Sequence, residues 1–365
     1  MSDSAVTTPS PAFYSPWIPS PHYWLIYQCA DNALSERLKA DFAAKGMKPL
    51  YDSSLMFGMA IKHPWVSAFN DVGEVIKKHG AASVIKVALI PAQPQPLKEE
   101  ATMLMRSYIE MEQASKHIWL MHALLDHRLI CFMQRVIDKR GKVAGFEAFA
   151  RIEEEGGSMR DGGAIMLASR MLNLEFQLDR MLHKEAVRTF VGSDSDGYLF
   201  INFVTGSISR PEHYLEGLSQ AVESFGLMPR HIVLDISIQP PLAGLKQLKT
   251  LVDYCRTRGF SLAVDDVMTA EELKHVIAEI KPDFVKLDGR LSRNITEARV
   301  ASNVSAMVEL AHTSGATVVA EGVETEAQHQ RLSDMGVGMF QGYLLGVPER
   351  VKFDSNANKM LKINS

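Results

Sequence analysis

The sequence predicts an α/β fold in which a closed barrel of alternating strands and helices follows a small α/β domain. From about residue 128 to the end of the 365-residue chain, apolar runs alternate with helical patterns, and several of the helices end at glycine. Nearly every one of these runs carries a carboxylate or an amide side chain toward its end. Alternation of this length predicts a parallel sheet closed into a (β/α)8 TIM-like barrel, with its chemistry at the C-terminal ends of the strands.

Composition limits the class of function. Lys and Arg total 39 against 43 Asp and Glu, a net charge of -4, so no basic field draws the protein to DNA. Cys29, Cys131 and Cys255 stand far apart, without metal or redox spacing, which favours a reduced compartment. The N-terminus lacks the features of a signal peptide, and no apolar run approaches the roughly 18 residues of a membrane span. We expect a soluble cytoplasmic protein that makes no membrane contact.

The N-terminal part is predicted to be a short tail followed by a small domain. Residues 1–21 are rich in Pro, Ser and Thr, which indicates disorder. Residues 22–95 predict strand, helix, strand, helix and strand, in the order YWLIYQC, SERLKADFAAKG, LMFGMAIKH, VSAFNDVGEVIKKHG and ASVIKVALI. This region shows no phosphate loop and no obvious catalytic pair. We therefore expect a sensory or interaction domain that binds a signal or a protein partner.

A connecting helix is predicted over residues 96–127. Apolar side chains recur there at the seven-residue spacing of a coiled coil, at Leu104, Met111, Ile118 and Leu125. Polar residues interrupt the second stripe that a coiled coil requires. Two interpretations stay open, a helix that packs on its own domain and a signalling helix that forms a homodimer.

Eight apolar runs supply the predicted barrel strands over residues 128–365. In chain order they are LICFMQRVI, VAGFEAFAR, GYLFINFV, HIVLDISI, FSLAVDDV, DFVKLDG, ATVVAEGVE and MFQGYLL. Between the second and third runs, residues 164–190 predict one long helix.

The strand ends carry the candidate functional side chains. A single acidic residue at a strand end is most often a helix cap, so the prediction depends on convergence. Closure of the barrel would bring to one rim Glu147, Asn202, Asp235, Asp265, Asp266, Lys286, Glu321, Glu324 and Gln341. So many carboxylates repel one another unless a cation lies among them, and oxygen-only ligands suit Mg²⁺ or Mn²⁺. Adjacent aspartates can bridge two such ions, an arrangement used for in-line displacement at phosphorus.

Several of these strand ends resemble the motifs of a known family. GFEAFAR at residues 145–151 resembles the EAL signature, and AVDD at residues 263–266 resembles its double-aspartate strand. AEGVET at residues 320–325 and QGYLLGVP at residues 341–348 are very similar to its closing motifs. Residues 128–365 thus resemble an EAL domain, a barrel that hydrolyses or binds the bacterial second messenger cyclic di-GMP.

The resemblance implies a role for each matched residue. The metal ligands would be Glu147, Asn202, Asp235, Asp265, Asp266 and Glu321. Lys286 and Glu324 would position or activate the attacking water, and Gln134, Arg151 and Gln341 would surround the nucleotide. The implied reaction is attack of water on one phosphodiester of cyclic di-GMP, which opens the ring to the linear dinucleotide pGpG. Mg²⁺ or Mn²⁺, in a two-metal site, would be required.

Three departures from the family pattern bear on activity. Asp235 stands where members usually have glutamate, and its side chain is one methylene, about 1.5 Å, shorter. Ile238 replaces a glutamate that steadies the following loop, and it cannot accept a hydrogen bond. The family's DDFGTG is DDVMTA here, so Met268 and Ala270 replace two glycines and remove the freedom to take positive φ.

Two functions of different classes follow from the sequence. Retention of Lys286, Glu321, Glu324 and Gln341 favours a cyclic di-GMP phosphodiesterase, with turnover attenuated by the departures. The altered loop and Ile238 favour a catalytically inactive barrel that acts as a cyclic di-GMP receptor or a protein-interaction module. An unrelated metal-dependent barrel enzyme is a third, weaker interpretation.

Overall fold

The chain forms two compact units in a computed structural model. Residues 22–47, 51–53, 55–62, 65–91, 104–154, 156–193, 195–203, 211–237 and 245–351 are described. One unit comprises Met1–His127 with Met166–Leu174, and the other comprises Arg128–Ile165 with Glu175–Ser365. The predicted tail of residues 1–21 and the departure at Ile238 both lie outside the described residues. Within the described part of the chain, no helix combines the length and the apolar character needed to cross a membrane.

The first unit contains an antiparallel sheet and two longer helices. The strands are β1 (His22–Gln28), β2 (Tyr51–Asp52), β3 (Met56–Lys62), β4 (Lys86–Pro91) and β5 (Arg106–Ser107), in the order β2-β3-β1-β4-β5, and the helices are α1 (Asn32–Ala44) and α2 (Trp65–Lys78). The three predicted strands and two predicted helices are all present, and the short β2 and β5 were not predicted. The buried rings of Tyr27 and Phe57 stack at 5.3 Å, which anchors β1 to β3 in the core.

The predicted connecting helix of residues 96–127 is wrong as a single continuous helix. Within residues 104–127 the structure has two short helices, α3 (Tyr108–Ser115) and α4 (Trp119–Leu125). Ser107 and Glu110 form a capping box that starts α3, because each side chain accepts from the other's backbone N–H. Tyr108 then stacks on Phe69 of α2 at 5.4 Å. Two short helices separated by a turn provide no continuous heptad stripe over these residues. The structure therefore favours helices that pack within their own unit over a coiled-coil signalling helix.

The second unit is a closed barrel of eight strands, as predicted. Its strands are β6 (Leu129–Asp138), β7 (Val143–Glu153), β9 (Tyr198–Phe203), β10 (Ile232–Ser237), β11 (Ser261–Val267), β12 (Phe284–Leu287), β13 (Thr317–Ala320) and β14 (Met339–Phe340). The short strands β8 (Met159–Arg160) and β15 (Glu349–Arg350) pair outside the ring, on β7 and on β6. All eight predicted barrel strands are therefore confirmed.

The prediction of an all-parallel sheet is wrong at the first strand. β6 closes the barrel between β7 and β14, and it runs antiparallel to both neighbours. The cause is the connection, because residues 139–142 join β6 to β7 as a hairpin and a turn that short can only join antiparallel strands. Gly141 adopts φ 78° in this turn. The other seven strands run parallel around the ring.

Helices connect the strands of the barrel. They are α5 (Gly162–Leu172), α6 (Glu175–Val191), α7 (Pro211–Ser224), α8 (Leu245–Thr257), α9 (Ala270–Ile280), α10 (Gly289–Arg293), α11 (Ala298–Ser314) and α12 (Glu326–Asp334). The single helix predicted over residues 164–190 is instead divided into α5 and α6. Asn173 adopts a left-handed φ of 54° between them, and asparagine is one of the few residues that terminates a helix in this way.

Candidate active site

A polar layer lies directly above an apolar layer inside the barrel. The apolar layer contains Phe200, Val233, Ala263, Phe284 and Val319, one from each of five adjacent parallel strands. Alternate residues of a strand point to the same side, so the residue two places further along each strand points into the barrel one layer higher. Those residues are Asn202, Asp235, Asp265, Lys286 and Glu321. The strand period therefore brings five of the predicted site residues to one level.

Lys286 lies at the centre of this layer. Its side chain is only 1% exposed, and its Nζ lies 2.5 Å from Oδ2 of Asp235 and 2.6 Å from Oε1 of Glu321. The same nitrogen lies 3.3 Å from Oε2 of Glu147 and 3.6 Å from Oδ1 of Asp265. One ammonium group thus faces four carboxyl groups, which come from β7, β10, β11 and the residue after β13.

Amide side chains complete the network on the side of β6 and β7. Gln341 donates from Nε2 to Oε1 of Gln134 at 2.9 Å and to Oε2 of Glu147 at 2.8 Å. Asn202 donates from Nδ2 to Oε1 of Glu147 at 3.0 Å, and Gln134 donates to the carbonyl of Gly346 at 2.8 Å. Glu147 is therefore held by two amides and an ammonium group, which fixes its carboxylate although it is buried.

Backbone packing at Gly342 brings Gln341 into this network. Gly342 adopts φ 158°, and a Cβ there would lie 2.1 Å from the carbonyl oxygen of Val323. The backbone after β14 therefore lies against the loop after β13, and the N–H of Val323 donates to the carbonyl of Gln341 at 3.0 Å. Only glycine permits this approach, which explains the residue that follows Gln341.

Burial and incomplete neutralisation shift the pKa values of the layer. Burial by itself would lower the pKa of Lys286, but the surrounding carboxylates outweigh it and raise the pKa well above its ordinary value. Burial raises the pKa of Asp235 and of Asp265, although Lys286 acts in the opposite direction on both. Burial likewise raises the pKa of Glu321 to about 8. Lys286 is thus an ammonium at neutral pH, and its charge alone does not keep all four carboxyls ionised.

The donor set of the layer fits a divalent cation. The side chains other than Lys286 offer only carboxylate and amide oxygens, the ligands that suit Mg²⁺ and Mn²⁺. Oδ1 of Asp235 is buried and has no hydrogen-bond partner among the described residues, so it is free to bind a cation. In the described residues no three His, Cys, Asp or Glu side chains are arranged around one metal position. The carboxylates instead surround the ammonium group of Lys286.

The two adjacent aspartates have different environments. The pairing of β11 with β12 shifts register between Val264 and Val267, a bulge that contains Asp265 and Asp266. Asp266 adopts a left-handed φ of 61°, and its N–H donates to Oδ1 of Asp265 at 2.8 Å. Its Oδ2 accepts from the hydroxyl of Ser237 at 2.9 Å. Asp265 therefore faces Lys286, whereas Asp266 is exposed at the rim.

The loop after the aspartates takes a conformation that does not need glycine. The positive φ of this region falls on Asp266, and neither Met268 nor Ala270 has one. Met268 packs on the barrel core, and Thr269 caps α9 with Glu272 in a capping box. Met268 and Ala270 replace two glycines of the family pattern, but this loop does not need a positive φ at either position.

Besides Asp266, two predicted site residues lie outside the Lys286 network in the described contacts. Arg151 donates to the carbonyl of Ala150 at 2.8 Å, and its guanidinium lies 5.5 Å from the centre of the Phe132 ring. Glu324 is exposed, and its Oε1 lies 3.7 Å from Nη1 of Arg293. Both side chains belong to loops or strand ends around the layer rather than to the layer itself.

Sequence reasoning missed Ser237, which contacts a predicted site residue. Ser237 pairs with Asp265 in the parallel register of β10 and β11 and donates to the neighbouring Asp266. Its position two residues after Asp235 was a signal that the strand period could have revealed.

Comparisons with known proteins agree with this architecture. The model of the EAL domain family matches residues 119–348. The chain is 24% identical over 245 residues to the bifunctional diguanylate cyclase/cyclic di-GMP phosphodiesterase MucR of Pseudomonas aeruginosa, covering 64% of this chain and 36% of that protein. It is 24% identical over 246 residues to the probable cyclic di-GMP phosphodiesterase PdeA of Escherichia coli, covering 65% of this chain and 33% of that protein. The chain thus spans about a third of the length of these curated relatives.

A solved structure shares the barrel. The EAL domain of FimX from Xanthomonas citri, in complex with c-di-GMP, superposes with a TM-score of 0.61 at 17% identity. The match covers 67% of this chain and 99% of that domain. At this identity the similarity shows the fold alone.

Proposed function

The chain belongs to the EAL domain family, and from this premise we propose that it is a metal-dependent phosphodiesterase that hydrolyses cyclic di-GMP to pGpG. One observation supports the proposal above the others. Lys286 and four carboxyl groups converge at the C-terminal end of the barrel, where barrel enzymes have their active sites.

The proposed reaction needs a nucleophile, a phosphorus centre and a path for two protons. The oxygen of water attacks one phosphorus, the bond from that phosphorus to the 3′ oxygen breaks, and the linear dinucleotide keeps a 5′ phosphate. Water gives up a proton as the new bond forms, and the leaving 3′ oxygen gains one. Mg²⁺ or Mn²⁺, held by Glu147, Asn202, Asp235, Asp265, Asp266 and Glu321, would neutralise phosphate charge and make the attacking water more acidic.

The residues of this chain have distinct roles in the proposed reaction. Lys286 is an ammonium, so it donates hydrogen bonds and supplies positive charge, and it does not act as the base. The exposed carboxylate of Glu324 is the proposed acceptor of the proton from water. Gln134 and Gln341 form the floor of the nucleotide site, and Arg151 would contact a base or phosphate of the ligand.

A direct assay tests the proposal. Purified protein is incubated with cyclic di-GMP and either Mg²⁺ or Mn²⁺, and the products are resolved by chromatography. Asp265→Asn should abolish pGpG formation, because it removes one carboxylate from the layer. Asp253→Asn, on the exposed face of α8, is the matched control and should leave the rate unchanged. A chelator should stop turnover of the unaltered protein.

A second candidate function is a cyclic di-GMP receptor without catalysis. The direct ion pair of Asp235 with Lys286 favours it, because a shorter acid engaged by an ammonium group is less available to a metal. Saturable binding of intact cyclic di-GMP, with no pGpG under any metal condition, would reject the enzyme and support the receptor.

A further inference from the structure

Asn303 of α11 reaches the loop that follows the two aspartates. Its Nδ2 donates to the carbonyl oxygen of Met268 at 2.8 Å, and its Oδ1 accepts from the N–H of Ala270 at 3.1 Å. The orientation of the carboxamide is determined by its partners, because the carbonyl can only accept and the N–H can only donate. A single side chain thus joins both ends of the segment 268–270 to a helix more than 30 residues further along the chain.

The remaining N–H groups of this segment are held by Glu272. The backbone N–H groups of Met268 and Thr269 both donate to Oε2 of Glu272, at 3.2 Å and 3.1 Å. Thr269 in turn accepts from the N–H of Glu272. Glu272 belongs to α9 and Asn303 to α11, so the segment is held both by the local capping box and by a helix distant in the chain.

The segment lies two residues after a strained position. Asp266 has a left-handed φ that a residue other than glycine keeps only when its surroundings hold it there. Ser237 holds its carboxylate from the preceding strand. On the other side of Asp266 the chain continues through Val267, which pairs with β12, to the segment that Asn303 holds. Release of that segment would free the backbone that orients both aspartates.

We propose that Asn303 is a positioning residue that fixes segment 268–270 and thereby orients Asp265 and Asp266 for a divalent cation and its phosphodiester ligand. This inference rests on the proposed function for the identity of the ligand, but not for the fixation of the loop. Asn303 itself contacts neither carboxylate in the described structure. It acts through the backbone of the loop.

Two substitutions each remove the hydrogen bond between Ala270 and Asn303, one by changing the acceptor and the other by changing the donor. Asn303→Ala deletes the carboxamide. Ala270→Pro deletes the N–H that donates to Oδ1, and its ring displaces the carboxamide. Proline is tolerated there because Ala270 is the first residue of α9, and the preceding Thr269 has φ -137° and ψ 151°, which suit a residue before proline. Ser305→Ala, on the exposed face of α11, is the matched control.

Two measurements test the inference in the full chain. Hydrogen exchange without metal should show faster exchange at the amides of Met268 and Thr269 in both variants, with the barrel strands unchanged. Titration with Mn²⁺ alone should show about tenfold weaker binding in each variant, the usual effect of losing a group that orients metal ligands. The double variant should be no weaker than either single variant, because both remove one interaction.

Several outcomes would overturn the inference. Unchanged exchange at residues 268 and 269 in Asn303→Ala would show that the loop does not depend on this contact. A double variant about a hundredfold weaker would show that the two changes act by separate routes. If Asn303→Ala does not fold, Asn303→Asp replaces it. Aspartate keeps the oxygen that accepts from Ala270 and loses the N–H that donates to Met268. Hydrogen exchange and Mn²⁺ affinity equal to those of the unaltered protein would then reject the inference.

Failure of the proposed function is distinguishable from failure of this inference. If the unaltered protein binds neither Mn²⁺ nor cyclic di-GMP, the proposed function and the ligand-orienting part of this inference both fail. The hydrogen-exchange comparison still decides whether Asn303 fixes the loop. If the unaltered protein forms pGpG and Asn303→Ala binds Mn²⁺ as tightly as the unaltered protein does, the proposed function stands and the inference is rejected.

Discussion

Lys286 and Asp235 form a buried ion pair in which Nζ lies 2.5 Å from Oδ2. The short side chain of Asp235 reaches the centre of the polar layer. Its other oxygen remains without a partner among the described residues. The pair therefore keeps Asp235 in the site.

The first prediction concerns the central charge. Lys286→Met should destabilise the metal-free protein by about 3–5 kcal/mol, because it leaves buried carboxylates without their ammonium partner. Chemical denaturation in the presence of chelator measures this. Lys249→Met on α8 is the control, since Lys249 is 56% exposed and its contact with Asp253 is 3.8 Å long, so its effect should stay within about 0.5 kcal/mol. Equal effects of the two substitutions would contradict the central role of Lys286.

The second prediction concerns pH and the stability of the metal-free protein. The pKa of Glu321 rises from 4.5 to about 8 on folding, so between these values the folded state binds more protons than the unfolded state. The free energy of unfolding should therefore fall as pH rises, by about 1 kcal/mol per pH unit near neutrality. Asp235 and Asp265 shift in the same direction.

The informative pH window is 6.5 to 8. Burial lowers the pKa of His183 from 6.5 to about 4, which makes stability rise with pH up to about pH 7 and masks the effect below this window. Urea denaturation in chelator, at pH 6.5 and at pH 8, measures the slope. Glu321→Gln should flatten it, and a slope that persists in this variant would assign the pH dependence to another group.

The third prediction concerns protons released on metal binding. A carboxyl that is protonated at pH 7 must lose its proton to bind a cation, so Mg²⁺ or Mn²⁺ should release protons. Apparent affinity should consequently rise as pH increases from 6.5 to 8. Calorimetry in two buffers of different ionisation enthalpy counts the released protons. The count should approach zero at pH 9, and a count of zero at pH 7 would show that the carboxyls are already ionised.

The fourth prediction separates the backbone role of Asp266 from its charge. Asp266→Ala should destabilise the protein by about 1–2 kcal/mol, because alanine tolerates the left-handed φ of 61° poorly and loses the bond from Ser237. Asp266→Asn should stay within about 0.5 kcal/mol, since asparagine accepts both constraints. Thermal or urea denaturation compares the two.

The same substitution in a helix supplies the control for Asp266. Asp253→Ala in α8 should change stability by no more than about 0.5 kcal/mol, because alanine favours a helix. Asp266→Asn should nevertheless lose phosphodiesterase activity if the rim carboxylate binds metal. An active Asp266→Asn variant would remove Asp266 from the proposed ligands.

Strand periodicity and strand-end chemistry could be predicted from the sequence. The eight barrel strands were predicted, as was the convergence of Glu147, Asp235, Asp265, Lys286 and Glu321, because alternation along a parallel strand places such side chains at one end. The break at Asn173 was not predicted, because the apolar helical pattern continues across it. The break between α3 and α4, after Ser115, was not predicted either, because the weak heptad pattern of apolar residues continues across the turn.

The sequence by itself determined which residues occupy the mouth of the barrel and that they carry an excess of carboxylates. Only the tertiary structure decided how that excess is arranged. It places Lys286 among four carboxyls, directs Asp265 and Asp266 to different sides, and fixes the following loop through Asn303. The physical reason is that a strand pattern determines which face a side chain occupies, whereas ion pairs and loop contacts depend on distances between segments far apart in the chain.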